Sequence, residues 1–296
     1  MIVAGLSGAN GLDLKLSHLL NARVIHVESK RFPDGETYIR FDGDVGGETL
    51  VFVQSLYPEQ DRKLFELLLS IDTAKDLGCR DVIVVAPYLA YSRQDRRFLD
   101  GEPVSIKTVL KLLNSVGTNY LITVDMHKAE SLKYFHGKTI NLNPTRLFAE
   151  AISKVVNKPI VIAPDQGASG KAAELAKLLP DSEYVVFKKY RDRITGKITH
   201  ETLDVDVSGR DAIVIDDIVS TGTTIASIAS YIRGRGVSKT YVVCSHALLV
   251  GNAFEKVISS GVSKIYALNT LPLPEGVEVI DITPILSDAI NNLIRN

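Results

Sequence analysis

The stretch AIVIDDIVSTGTTI runs from Ala212 to Ile225. Four apolar residues lead into two adjacent acids, Asp216 and Asp217. A run of hydroxyls around one glycine follows: Ser220, Thr221, Gly222, Thr223 and Thr224. Apolar residues then return at helical spacing, at Ile225, Ile228 and Ile232. In order, this is a strand, an acidic strand end, a tight loop and a helix. In open α/β sheets, ligands sit beyond the carboxyl ends of strands. The free N–H groups and partial positive charge of a helix N-terminus favour phosphate. Gly222 lets the backbone approach closely, and the hydroxyls can donate to phosphate oxygens. Carboxylates repel a phosphate, so the two acids must address something else, either sugar hydroxyls or a metal ion. A phosphorylated sugar satisfies both halves of the stretch. The plainer alternative is a helix capped by Thr221 after an exposed turn. Two acids at the end of a buried strand weigh against it. The stretch lacks GxxxxGK[ST] and is no P-loop, and GLSGANG (5–11) is too little for a dinucleotide fingerprint.

Outward from this stretch, short β-branched runs alternate with helical patterns. Expected strands are Ile2–Ala4, Val24–Val27, Leu50–Val53, Val82–Ala86, Tyr120–Val124, Ile160–Ala163, Tyr184–Phe187, Ala212–Asp216, Thr240–Cys244 and Lys264–Leu268. Between them lie helical sets such as Leu64, Leu67, Leu68, Ile71, Ala74 and Val109, Leu110, Leu113, Val116. The strand runs are almost continuously apolar, which fits parallel sheets covered on both faces. LGCRDVIVVAP (77–87), VGTNYLITVD (116–125), RGVSKTYVVCSH (235–246) and SGVSKIYALNT (260–270) each set a helix-ending glycine just before a strand. The fold class expected is therefore α/β, with two similar domains, each a mainly parallel sheet flanked by helices. NLNPT (141–145) is the best boundary, with Pro144 opening a helix over Arg146–Val156. The domains expected are 1–142 and 143–282. For the last helix (283–296), opened by Thr283-Pro284, packing back onto the first domain stays open.

Composition excludes several classes. The 296 residues are 45% hydrophobic and 23% charged, and 34 basic residues face 35 acidic ones. That balance argues for neither a nucleic-acid polymer nor an anionic membrane as partner. VIVVAPYLAY (82–91) contains Pro87 and is too short to span a bilayer. The first residues carry neither a basic nor a long apolar segment of the secretory type. Cys79 and Cys244 show no metal-ligand spacing and no disulfide framework, so core packing in a reducing cytosol is the simple reading.

IDDIVSTGTT resembles the phosphoribosyl-binding motif of the type I phosphoribosyltransferase fold. KRFPDGETYIR (30–40), VQS (53–55), YSRQDRR (91–97), VDMHKAES (124–131), APDQGASGK (163–171) and KKYRD (188–192) follow in the order seen in ribose-phosphate pyrophosphokinases. The resemblance covers nearly the whole chain. It implies transfer of the β,γ-diphosphoryl group of ATP to ribose 5-phosphate, with Mg2+ as cofactor. It also implies self-association, at least to a dimer, with an ATP site shared between subunits.

Each further motif has a bland reading beside the implied one. FPDGE alone is a surface turn; by resemblance Phe32 stacks on adenine, and Asp34 and Glu36 accept from the base. Arg93, Gln94 and Asp95 follow a strand's carboxyl end, where a polyphosphate wants cations, and the resemblance places them on ATP. A lone His127 is more often structural, but Asp125 lies two residues before it. The resemblance puts His127 and Asp165 at the Mg-ATP site. Mg2+ prefers oxygen, which favours Asp165 over the imidazole as a direct ligand. KKYRDRITGKITHE (188–201) reads as a charged hairpin turning at Thr195-Gly196-Lys197. By resemblance Lys189 and Arg191 on it are catalytic, and two cations suit a reaction that gathers negative charge on the transferred group.

The chain departs from the family pattern in three places. Ser220 stands where the family commonly has Asp, and Lys188 where a His usually precedes the catalytic lysine. FLDGEPVS (98–105) lacks the basic run of the allosterically inhibited forms. Two rival readings are a transferase that consumes phosphoribosyl pyrophosphate and a non-catalytic regulatory homologue. The first needs no adenine site, and the second need not keep Lys189, Arg191, Asp165 and His127 together.

Overall fold

Sixteen strands and eight α-helices alternate along the residues that the computed structural model describes, 1–191 and 198–295, with backbone alone at 189–191, 198–201 and 295. The chain divides into two units. Unit 1 comprises Met1–Leu142, Thr270–Pro272 and Asp281–Asn296, and unit 2 comprises Asn143–Asn269 and Leu273–Ile280.

Unit 1 contains β1 (Ile2–Gly5), α1 (Leu12–Leu20), β2 (Arg23–Val24), β3 (Val27–Arg31), β4 (Thr37–Phe41), β5 (Thr49–Val53), α2 (Gln60–Asp76), β6 (Asp81–Ala86), α3 (Ser105–Ser115), β7 (Tyr120–Val124) and β8 (Lys138–Leu142). Its central sheet has the order β2-β1-β5-β6-β7-β8 with every pairing parallel. β3 and β4 form a separate antiparallel hairpin. Val24–Val27, expected as one strand, is therefore split. Arg23 and Val24 pair with β1, Ile25 donates its N–H to the Val3 carbonyl at 3.0 Å, and Val27 begins the hairpin.

Unit 2 contains α4 (Thr145–Ile152), β9 (Ile160–Ala163), α5 (Ser169–Leu178), β10 (Glu183–Val186), β11 (Lys188–Arg191), β12 (Ile198–Thr202), β13 (Asp211–Val219), α6 (Thr223–Arg233), β14 (Lys239–Ala247), α7 (Ala253–Ser259), β15 (Lys264–Leu268) and β16 (Val277–Ile280). Its sheet has the order β10-β9-β13-β14-β15-β16, again all parallel, and β11 and β12 form an antiparallel hairpin. α4 ends at Ile152, earlier than the apolar pattern to Val156 suggests, because Ser153–Val155 turn out of the helix. The last helix, α8 (Thr283–Arg295), packs on α1 within unit 1, where Lys15 also pairs with Asp281 at 2.9 Å.

Burial explains the sequence pattern. β5 and β9 are buried at every residue, and β6, β7 and β13 at all but one each, as parallel strands covered on both faces require. Cys79 and Cys244 are both buried and are not joined in a disulfide, as expected of core packing. The four helix-ending glycines, Gly78, Gly117, Gly236 and Gly261, all have positive φ (83°, 93°, 77° and 109°). Both switch points, where successive connections leave in opposite directions, fall between a sheet's second and third strands: β1 and β5 in unit 1, β9 and β13 in unit 2.

Candidate active site

At the unit 2 switch point, β13 runs three residues past the expected strand end at Asp216 and carries both acids within it. Asp216 stands opposite Cys244, and Ile218 opposite His246. His246 is itself buried inside β14, consistent with a structural role. Asp216 Oδ1 accepts from the Asp217 N–H at 2.9 Å, and Asp217 Oδ1 accepts from the Ile218 N–H at 2.9 Å. Burial pushes the Asp216 carboxyl well above the usual carboxylate range. The Asp217 charge adds to that effect, and Lys171 on α5 opposes it. Crowding two carboxyls at a strand end favours the protonated form, and a cation or a set of hydroxyl donors favours the ionised one.

The loop after β13 is shaped for an anion. Gly222, at φ 68°, is the residue that caps α6, in place of Thr221, and no side chain caps the helix. A Cβ on Gly222 would lie 2.7 Å from Val257 Cγ2 and 3.1 Å from the Ala253 carbonyl oxygen, so only glycine lets the loop lie against α7. Among the described residues, the N–H groups of Thr221 to Ile225 make no hydrogen bond; the first used in α6 is that of Ala226, which reaches the Gly222 carbonyl at 2.9 Å. Thr221, Thr223 and Thr224 are exposed, with Thr221 Oγ1 and Thr223 Oγ1 3.3 Å apart. Sequence reasoning missed Lys256. From α7 its Nζ donates to the Thr221 carbonyl at 2.9 Å and brings a cation to the loop. Nothing local in the sequence links residues 35 positions apart.

Asp165 follows β9 at the other side of the same switch point and is exposed. Its Oδ1 accepts from the N–H groups of Gly167 (2.8 Å) and Ala168 (3.2 Å), which fixes the carboxylate at the start of a 3₁₀ turn. Oδ2 makes no hydrogen bond among the described residues.

The remaining expected residues lie in unit 1 or on the unit 2 hairpin. Phe32, Asp34 and Glu36 occupy the turn between β3 and β4. The Asp34 carboxylate accepts from the Glu36 N–H at 3.1 Å. Phe32 is 43% exposed and meets Tyr38 edge-on, with centroids 5.6 Å apart. A groove of about 800 Å³ lies beside this turn, lined in part by Glu36, Arg62 and Phe65. Arg93, Gln94 and Asp95 lie on the long loop between β6 and α3. Arg93 is exposed and makes no ion pair among the described residues. The Gln94 amide reaches the carbonyls of Arg96 and Pro103 and Glu102 Oε2, each at 3.3 Å, and so fixes the course of that loop. His127 is exposed just beyond β7, after Asp125, which is buried at φ 46°. Lys189 and Arg191 lie on β11, opposite Glu201 and Ile198 of β12. Their side chains, and the turn at 195–197, lie outside the described residues. Among the described residues, no three His, Cys, Asp or Glu side chains cluster to hold a metal.

Residues 1–117 match the family of the N-terminal domain of ribose phosphate pyrophosphokinase, and residues 193–296 match the phosphoribosyl synthetase-associated domain. The chain is 42% identical over 290 residues to a ribose-phosphate pyrophosphokinase of Sulfurisphaera tokodaii, covering 97% of this chain and 99% of that relative. The chain belongs to the ribose-phosphate pyrophosphokinase family. Another family member, from Aeropyrum pernix, is 36% identical over 301 residues and covers 100% of this chain and 97% of its own. The crystal structure of phosphoribosylpyrophosphate synthetase from Mycobacterium smegmatis shares the fold, with a TM-score of 0.90 at 24% identity over 100% of this chain and 99% of that one. The α/β class with two parallel sheets is thus the pyrophosphokinase fold. Among the described residues, no helix is long and apolar enough to cross a membrane.

Proposed function

We propose that the chain transfers the β,γ-diphosphoryl group of ATP to the C1 hydroxyl of ribose 5-phosphate, giving phosphoribosyl pyrophosphate and AMP. The observation that carries this reading is the pairing of two acids with an uncapped helix start at one switch point. The N–H groups and hydroxyls of Ser220 to Thr224 bind the 5-phosphate, and Lys256 holds that loop. Asp216 and Asp217 accept from the ribose hydroxyls and so orient C1 for in-line attack on the β-phosphorus. Arg93, Gln94 and Asp95 address the ATP, and Phe32 with Asp34 and Glu36 its adenine. Lys189 and Arg191 face the charge that grows on the transferred group. No side chain stands out as a general base, so positioning and charge stabilisation carry the rate.

The donor set fits Mg2+ as cofactor. Asp165 presents an exposed carboxylate fixed by two backbone N–H groups, and a hard cation would favour the ionised form of Asp216 that burial disfavours. One or two carboxylates together with substrate phosphates form the usual magnesium site. Bound there, the ion neutralises polyphosphate charge; His127 suits this metal less well than Asp165. Self-association, at least to a dimer, belongs to the same proposal, with the exposed Phe32 turn reaching the nucleotide of a neighbouring subunit.

The test is AMP release from Mg-ATP by the purified protein, with and without ribose 5-phosphate. AMP formed only when the sugar is present supports the proposal. ADP in its place means γ-phosphoryl transfer and overturns it.

A further inference from the structure

The two sheets follow one plan in order and also in register. Ile2 pairs with Leu50, which pairs with Val82; Ile160 pairs with Ala212, which pairs with Thr240. With Ile2 set against Ile160, these ladders correspond residue by residue. Each unit inserts its antiparallel hairpin at the same point, after the strand that pairs with the first. By this correspondence, Gln54 and Ser55 occupy the places of Asp216 and Asp217, and Ser7 occupies that of Asp165.

At the unit 2 switch point Asp165 and the loop threonines Thr221, Thr223 and Thr224 are exposed, whereas the unit 1 switch point is filled from within. Gln54, Ser55 and Glu66 are fully buried, and Lys63 is 6% exposed. Glu66, on α2, aims its carboxylate at the GLSGANG loop. Its Oε1 accepts from the Ser7 N–H at 3.4 Å, and its Oε2 accepts from the Ser7 hydroxyl and from Gln54 Nε2, the latter at 2.8 Å. Gln54 cannot turn its amide over, because its Oε1 accepts from the Gly8 N–H at 2.6 Å. Lys63 Nζ donates to the Ser7 carbonyl at 3.3 Å. Burial lowers the Lys63 ammonium below its ordinary value, and the Glu66 charge works against that shift. Gly8 is obligatory, since a Cβ there would lie 2.2 Å from the Ser55 carbonyl oxygen. Each group hydrogen-bonded to the carboxylate is a donor: a backbone N–H, a hydroxyl and an amide. That is the donor set of an oxyanion site.

We propose that the unit 1 switch point is a small oxyanion pocket whose resident anion is the Glu66 carboxylate, so that the first copy of the site is closed from inside. Deleting the carboxylate leaves a buried cavity ringed by donors, which a free carboxylate or phosphate then enters. The pocket stands independently of the function proposed above.

The test is thermal unfolding of the full chain. Glu66→Ala should lower Tm by several degrees, and formate should recover much of that loss relative to chloride at equal ionic strength. Formate should do nothing of the kind for the wild type or for Asp72→Ala, which removes an exposed acid from the same helix. Glu66→Gln keeps the shape but turns an N–H donor towards other donors. It should also lower Tm, without recovery by formate, because its amide fills the space. Formate acting no better than chloride on Glu66→Ala overturns the proposal. If Glu66→Ala does not fold, Glu66→Gln decides: a wild-type Tm in that variant shows that no anion is needed there.

Discussion

Gly222 and Val257 stand so close that a Cβ on the glycine would lie 2.7 Å from Val257 Cγ2. The contact sets how the loop after β13 lies on α7, and the loop's N–H groups are aimed by that placement. Gly222→Ala therefore meets a clash together with a left-handed φ that costs an L-residue about 1–2 kcal/mol. A displaced phosphate loop should lower kcat/KM for ribose 5-phosphate about 100-fold. Gly222→Ala with Val257→Ala should recover part of the loss, because the clash goes while the backbone strain stays. Steady-state kinetics decides the matter: an unchanged KM for the sugar in the single variant means that the close approach is unnecessary.

Lys256 tests whether the loop is also held electrostatically. Its ammonium hydrogen-bonds the Thr221 carbonyl, and a charge-assisted bond of this kind contributes about 1.5–3 kcal/mol. Lys256→Met keeps the stem and loses the charge, and should raise KM for ribose 5-phosphate about tenfold or more. Lys256→Arg should stay near the wild type. Equal rises in the KM of ATP and of the sugar would point to general loosening and remove the loop from the explanation.

What the sequence made legible, and what it hid, follows from which forces are local. Tyr120–Val124, Ile160–Ala163 and Lys264–Leu268 are strands end for end, because the inner strands of a parallel sheet are apolar along most of their length. β8 (KTINL) and β16 (VEVI) show no continuous apolar run, since edge strands wet on one side carry polar residues that break it. β13 was cut short at its acids, although its pairing with β14 continues to Val219. The candidate positions at strand ends follow from the order strand, polar cluster, helix. Lys256 was not, because only packing joins it to Thr221. Glu66 lay hidden in an apolar helical stripe: α2 buries Lys63, Glu66 and Ser70 along with its leucines.

Asp216 gives the protein a pH dependence whose sign is fixed. Burial and the Asp217 charge raise its folded value above that of an unfolded aspartate. Between those two values the folded chain keeps a proton that the unfolded chain has lost. The stability from this group is complete below the unfolded value and declines as pH rises through the folded one. Asp216→Asn should flatten Tm against pH over that window, and should melt above the wild type at neutral pH without ligands. Magnesium with ribose 5-phosphate favours the ionised pair and should shift the wild type more than the variant. Thermal scans across pH, with and without both ligands, measure this; a wild-type Tm that climbs through the window in the ligand-free state contradicts it.

Lys189 and Arg191 carry the heaviest assignment in the proposed chemistry. They stand two residues apart on β11, with a register irregularity between Tyr190 and Arg191. Cations that meet a phosphoryl group only as its charge develops contribute to turnover and not to nucleotide affinity. Lys189→Ala should thus lower kcat by about 10³-fold, the scale of a lost cation in phosphoryl transfer, while Kd for Mg-ATP stays within a few-fold. Arg191→Ala should behave alike. If the two act as a unit, the double variant should fall little below either single one. Single-turnover AMP formation with a parallel ATP-binding titration separates the cases. Turnover preserved in Lys189→Ala would take the residue out of the mechanism, and ATP binding lost along with turnover would move it from the transition state to the ground state.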